Sequence, residues 1–141
     1  MSRSATEPLD TTIFELDTAA RRVVDITDEV ERFCSSRGDG LCSVFAPHAT
    51  AGLALMETGS GSEADLEDAL ERLLPRSAGY RHRHGSPGHG ADHLLPALVS
   101  PSLVLPVVAG RPAFGTWQRV VLVDPNADNP RRRVRLSFLP A

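Results

Sequence analysis

The chain has 141 residues, 41% hydrophobic and 23% charged, with a formal net charge of −3. That fits one domain with its own hydrophobic core, excludes a disordered chain, and gives no case for a nucleic-acid partner. No stretch approaches the roughly eighteen apolar residues of a membrane span, and the opening MSRSATEPLD lacks the apolar run of a signal peptide, so a cytoplasmic protein without a membrane partner is expected.

In chain order, residues 1–10 are polar and predicted flexible, and residues 11–141 form a single domain. TTIFELDT reads as a strand, and RRVVDIT is expected to pair with it in a hairpin across Asp17–Ala20. Asp25 or Thr27 is expected to cap a short helix that carries Val30 and Phe33 on one face and ends at Gly38. GLCSVFAP is an apolar strand leading into His48, and AGLALMET continues as a second strand after a bend. Cys34 and Cys42 have no CxxC spacing and read as free buried thiols.

SEADLEDALERLLP is the clearest helix, with Ser62 as cap, Asp65 three residues later, and Leu66, Leu70, Leu73 and Leu74 as its apolar stripe. Residues 76–92 show no period and read as a loop, and ADHLLPALV as a short helix broken near Pro96. SLVLPVVAG and RVVLVD are strands, the first followed by a tight turn near Ala109-Gly110-Arg111. In the final strand RRVRLSFL, Val134, Leu136 and Phe138 share one face, and Arg133, Arg135 and Ser137 the other. Roughly six to eight strands with two helices predict an α+β fold: a mainly antiparallel sandwich with packed helices.

Four of the five histidines fall between His82 and His93, and the fifth, His48, ends an apolar strand. Three imidazole nitrogens with one open position make a catalytic zinc site, which His48, His82 and His93 supply if the fold brings them together. The alternative is a solvated polar patch, since no HExxH-type spacing is present. Glu57 and Asp65 are either surface carboxylates or acid–base groups. In Gly115-Thr116-Trp117-Gln118, Thr116 and Gln118 offer hydrogen bonds at a pocket rim, while Trp117 reads as a core anchor. The arginines at 131–133 and Arg135 either bind phosphate or form a charged outer face.

The same residues carry a family resemblance. His48-Ala49-Thr50-Ala51-Gly52-Leu53, Glu57, Asp65, Tyr80-Arg81-His82, Asp92-His93, Gly115-Thr116-Trp117-Gln118 and Arg132-Arg133 follow one another in the order and spacing of the YjbQ-like family. The chain departs from the family's usual pattern at Ala49, Met56, Ser100 and Asp124. The resemblance implies a jelly-roll-like core, a homotrimer, and a secondary thiamine-phosphate synthase activity that joins a pyrimidine diphosphate to a thiazole phosphate. It matches the family's three histidines to His48, His82 and His93 and leaves His84 and His89 as loop residues.

Two function classes follow. One is a transferase: a divalent metal, zinc at the histidines or magnesium with the substrate, serves a phosphorylated small molecule. His48, Glu57 and Asp65 are then catalytic, and Thr50, Thr116, Trp117, Gln118, Arg132 and Arg133 hold the ligand. The other is a non-catalytic trimer that binds a phosphorylated metabolite, or one whose histidines satisfy one another at subunit contacts.

Overall fold

The larger sheet is built around β8 (Arg131–Pro140), whose alternate residues Arg132, Val134, Leu136 and Phe138 are buried. In the computed structural model, which describes residues 8–141, β8 lies antiparallel between β1 (Asp10–Asp17) and β3 (Gly40–Phe45). β5 (Ser102–Val108) and the short β6 (Arg111–Pro112) extend the sheet beyond β3, in the order β1-β8-β3-β5-β6. The tight turn between β5 and β6 forms where expected, with Ala109 and Gly110 both at positive φ. Most of the flexible segment expected over residues 1–10 lies outside the described residues, and Asp10 already opens β1 opposite Phe138.

The second sheet has the order β2-β7-β4, from β2 (Val23–Asp25), β7 (Arg119–Val123) and β4 (Gly52–Met56), and is also antiparallel. β7 is its middle strand, and Val120 to Val123 are all essentially inaccessible. A strand covered on both faces reads as a continuous apolar run, which explains RVVLV. Val120 and Leu122 face the main core with Cys42, Val44, Leu105, Leu136 and Phe138 of the larger sheet. Val121 and Val123 face a second core containing Val23 and Leu95.

Among the described residues, three helices complete the α+β fold: α1 (Thr27–Cys34), α2 (Ser62–Leu73) and α3 (His89–Leu98). α1 turns Val30, Phe33 and Cys34 into the main core. Leu66, Leu70 and Leu74 of the α2 segment pack with Leu95 of α3 on the outer core. Among the described residues, no helix is long and apolar enough to cross a membrane.

Several local expectations are corrected. β1 and β2 do not pair. Between them, Thr18 is buried, its amide donates to the Pro130 carbonyl (2.9 Å), and its hydroxyl donates to Asp124 (2.6 Å). That anchor directs the chain from one sheet to the other. Ser62 does not cap α2. It is the first helical residue, and Gly61, at φ +94°, holds the cap position without a side-chain bond. The stripe omits Leu73, which is 68% exposed, and keeps Leu66, Leu70 and Leu74. α3 runs through Pro96 to Leu98: the ring removes one helical hydrogen bond, while Leu95 stays anchored in the outer core. At α1 neither Asp25 nor Thr27 is the cap: Ile26 holds that position without a side-chain bond, and Asp25 Oδ1, one residue earlier, accepts the amide (2.9 Å) and the hydroxyl (2.6 Å) of Thr27.

Candidate metal centre

α3 begins at His89, so His89 and His93 stand four residues apart on one helical face, with their Nε2 atoms 2.8 Å apart. His82 and His84 precede the helix in irregular chain, and their ring centroids lie 4.0 Å apart. The ligand atoms of His82, His84, His89 and His93 all lie within 4.8 Å of one another. Such a set can coordinate a divalent ion through neutral imidazoles.

The segment bearing His82 and His84 is held from several sides. The Tyr80 hydroxyl donates to the Pro75 carbonyl at 2.7 Å. The guanidinium of Arg76 pairs with the buried Asp92 carboxylate. Gly90 permits the close approach, since a Cβ there would lie 2.6 Å from Tyr80 Cβ and 2.7 Å from the His82 carbonyl oxygen.

Behind the cluster stands the loop between β7 and β8. His89 Nδ1 lies 2.8 Å from Asp128 Oδ2. A proton on Nδ1, donated to Asp128, leaves Nε2 free as the ligand atom, as in carboxylate–histidine–metal arrangements. Asn126 Nδ2 donates to Asp92 Oδ2 at 2.9 Å, and Asn126 Oδ1 accepts the Asp128 amide at 3.0 Å. Ser86 and then His89 hold the Asp128 carboxyl below its ordinary range. The Ser86 amide donates to Asp128 Oδ2 at 3.3 Å. Loss of solvation, followed by the neighbouring imidazoles, lowers the pKa of both His82 and His93 and so favours their neutral forms.

His82 and His93 thus meet as expected, but His48 is not a member of the cluster. Its Nε2 accepts the Arg133 amide at 2.9 Å, which fixes the ring against β8. Loss of solvation and then Arg132 lower its pKa. In place of His48 the cluster holds His84 and His89, the two histidines expected to be loop residues. The signal for His89 is the i, i+4 spacing in HGADH, which acts once the helix starts at His89 rather than at Ala91.

The remaining expected site residues lie outside the cluster. Glu57 and Asp65 are exposed, and their carboxylates make no hydrogen bond or ion pair among the described residues. Arg132 is 3% exposed, which corrects its reading as an accessible phosphate ligand. Its Nε and Nη2 bind the Asp124 carboxylate at 2.7 and 2.8 Å, and Nη2 also donates to Thr50 Oγ1 at 2.8 Å. Arg133 faces outward and pairs with Glu15 at 3.3 Å. Trp117 is 71% exposed and is not a core anchor, because Gly115 to Gln118 close a turn on themselves. The Gly115 amide donates to Gln118 Oε1 at 2.8 Å, and Thr116 and Gln118 line a separate cavity beside Arg111 and Arg119.

The family model described as UPF0047 protein YjbQ-like matches residues 12–141. The chain belongs to the YjbQ family. It is 63% identical over 131 residues to a UPF0047 protein of Mycobacterium tuberculosis strain H37Rv, covering 93% of this chain and 98% of that one. A UPF0047 protein of Archaeoglobus fulgidus is 41% identical over 119 residues, covering 84% and 91%. Among solved structures, a YbjQ-like protein of unknown function from Sulfolobus solfataricus P2 superposes with a TM-score of 0.86 at 25% identity, covering 95% of this chain and 99% of that one. A hypothetical protein from Aeropyrum pernix K1 does so with a TM-score of 0.83 at 31% identity, covering 94% and 100%. The YjbQ relationship therefore spans both sheets and all three helices.

Proposed function

We propose that the protein is a divalent-metal enzyme for phosphorylated small molecules, with the ion held by His82, His84, His89 and His93. The observation that carries this reading is the convergence of four imidazole ligand atoms within 4.8 Å. Neutral imidazoles suit zinc, and any three of them leave a fourth position for water or a phosphate oxygen. They bring no negative charge, so an ion there keeps its own and attracts an anionic group.

The reaction class comes from the resemblance to the YjbQ family: a pyrimidine diphosphate and a thiazole phosphate join to give thiamine phosphate and pyrophosphate. The diphosphate is free to carry its own magnesium. The positions of Glu57 and Asp65 favour a second reading, a non-catalytic protein that binds a phosphorylated metabolite. Two exposed carboxylates without partners among the described residues are not held in an orientation for proton transfer.

Metal content of untagged protein, compared with an H89A/H93A variant, tests the site. One equivalent per chain in the wild type and loss in the variant is the expected result; retention by the variant overturns it. Pyrophosphate release from the two substrate halves separates an enzyme from a binding protein.

The homotrimer belongs to the same proposal. Leu41, Pro106 and Leu139 stand in one row across the outward face of the larger sheet, which supports burial of that face against another copy. A light-scattering mass of one chain at micromolar concentration removes it.

A further inference from the structure

A phosphorylated ligand needs a cation, and the arginines at the start of β8 are committed: Arg132 to Asp124 and Thr50, Arg133 to Glu15. A different arginine borders the histidine cluster. His82, His84 and His89 line an open cavity of about 340 Å3 formed by the segment between Arg76 and Gly90. Its size falls within the roughly 300–1,000 Å3 of small-molecule sites. Among the described residues, no acidic side chain lines it.

Arg76 and Arg83 both reach this cavity, in different states. Arg76 is tied to Asp92 and donates to the Pro87 carbonyl at 3.2 Å. Arg83 donates only its Nε–H, to the Tyr80 carbonyl at 3.0 Å, and its two terminal nitrogens have no partner among the described residues. Ser86 lines the same cavity. Its hydroxyl oxygen is the one buried side-chain polar atom among the described residues without a hydrogen-bond partner, and such atoms are costly to leave unbonded. Gly85 and Gly88, at φ +83° and +86°, bend the chain on either side of Ser86 in a conformation that other residues rarely adopt.

We propose that Arg83 and Ser86 form an oxyanion subsite beside the histidine cluster, which takes the phosphate group of a small organic phosphate. The two free nitrogens of a guanidinium match two phosphate oxygens, and the serine hydroxyl serves a third. The arrangement rests on the reading of the histidines as a metal centre. An ion there and Arg83 flank the phosphate from two sides, while the nearest carboxylate, Asp128, is engaged by His89 and the Ser86 amide.

The test is calorimetry with inorganic phosphate on wild type, R83A, S86A and R81A, each with and without one equivalent of zinc. Arg81 does not line the cavity and serves as the charge-matched control. R83A is expected to weaken phosphate binding by about ten- to a hundredfold and S86A by about fivefold, with R81A near wild type. Zinc stoichiometry is read on the same samples and is expected to be unchanged in all three variants. Failure of the wild type to take up zinc overturns the metal centre alone, provided that phosphate binding still depends on Arg83. Phosphate binding that is absent from the wild type, or equal in wild type, R83A and S86A with and without zinc, overturns the subsite.

Discussion

Asp128 touches no expected ligand atom directly, yet it decides which nitrogen of His89 faces the other imidazoles. Its carboxylate, 2.8 Å from Nδ1, selects the tautomer with Nε2 free. D128A is expected to lower zinc affinity about ten- to a hundredfold, with folding retained. Competition against a chromophoric chelator measures this, and unchanged affinity rejects the role.

Arg132 and Asp124 stand for the opposite case, a charge pair spent on stability. Both are buried, and Asp124 also accepts the Thr18 hydroxyl. R132M leaves a carboxylate without its counter-charge in the core and is expected to cost about 3–5 kcal/mol in urea unfolding. A D124N/R132M double variant should recover part of that loss. The alternation that places Val134, Leu136 and Phe138 inward extends back to Arg132, so the parity of β8 alone signals a buried arginine.

At the scale of elements, α1 depends on one aspartate that faces three ways. Asp25 accepts two bonds from Thr27 at the helix start and pairs with Arg119 of β7 at 2.8 Å. Partial burial pushes its pKa up, but the Arg119 and Thr27 bonds outweigh this and hold it below the ordinary value. The folded state therefore favours the charged form. Its contribution is present above the unfolded pKa of about 3.9 and is lost as pH falls through the lower folded value. Urea midpoints should show D25N less stable than wild type at pH 7, with the gap closing towards pH 3. An equal gap at both pH values rejects this account.

Elements with a strong local period were the legible ones. β7 and β8 announce themselves by an unbroken apolar run and by strict alternation, and the leucines of α2 by their spacing of four. Which strands pair was not legible, because β1 meets β8 across more than a hundred residues and the Thr18 anchor depends on Asp124 and Pro130 far along the chain. The candidate site was half legible. His82 and His93 stood out, whereas His89 required the exact start of α3, which a positive-φ glycine at position 88 sets.

Across the whole molecule, the two cysteines report on the main core. Cys34 on α1 and Cys42 on β3 are both fully buried, and neither is in a disulfide. Burial, and then the neighbouring Cys34, push the Cys42 thiol up to about 12, and burial raises Cys34 as well. Since the thiolate is the reactive form, neither should react with a disulfide reagent at pH 8 unless α1 separates from the larger sheet. Thiol labelling across a urea series should follow the loss of circular dichroism. Rapid labelling of both cysteines without denaturant would show that the core opens locally.

β8 lies inside the larger sheet, between β1 and β3, although it follows both along the chain. On the ribosome, β1 and β3 therefore wait with facing edges unpaired until residues 131–140 have emerged, and unpaired edges invite association between neighbouring nascent chains. Asp128 is made just before that strand, so His89 acquires its orienting carboxylate only after α3 and β7 have been made. The orientation of His89 is therefore set by a segment made after the helix that carries it.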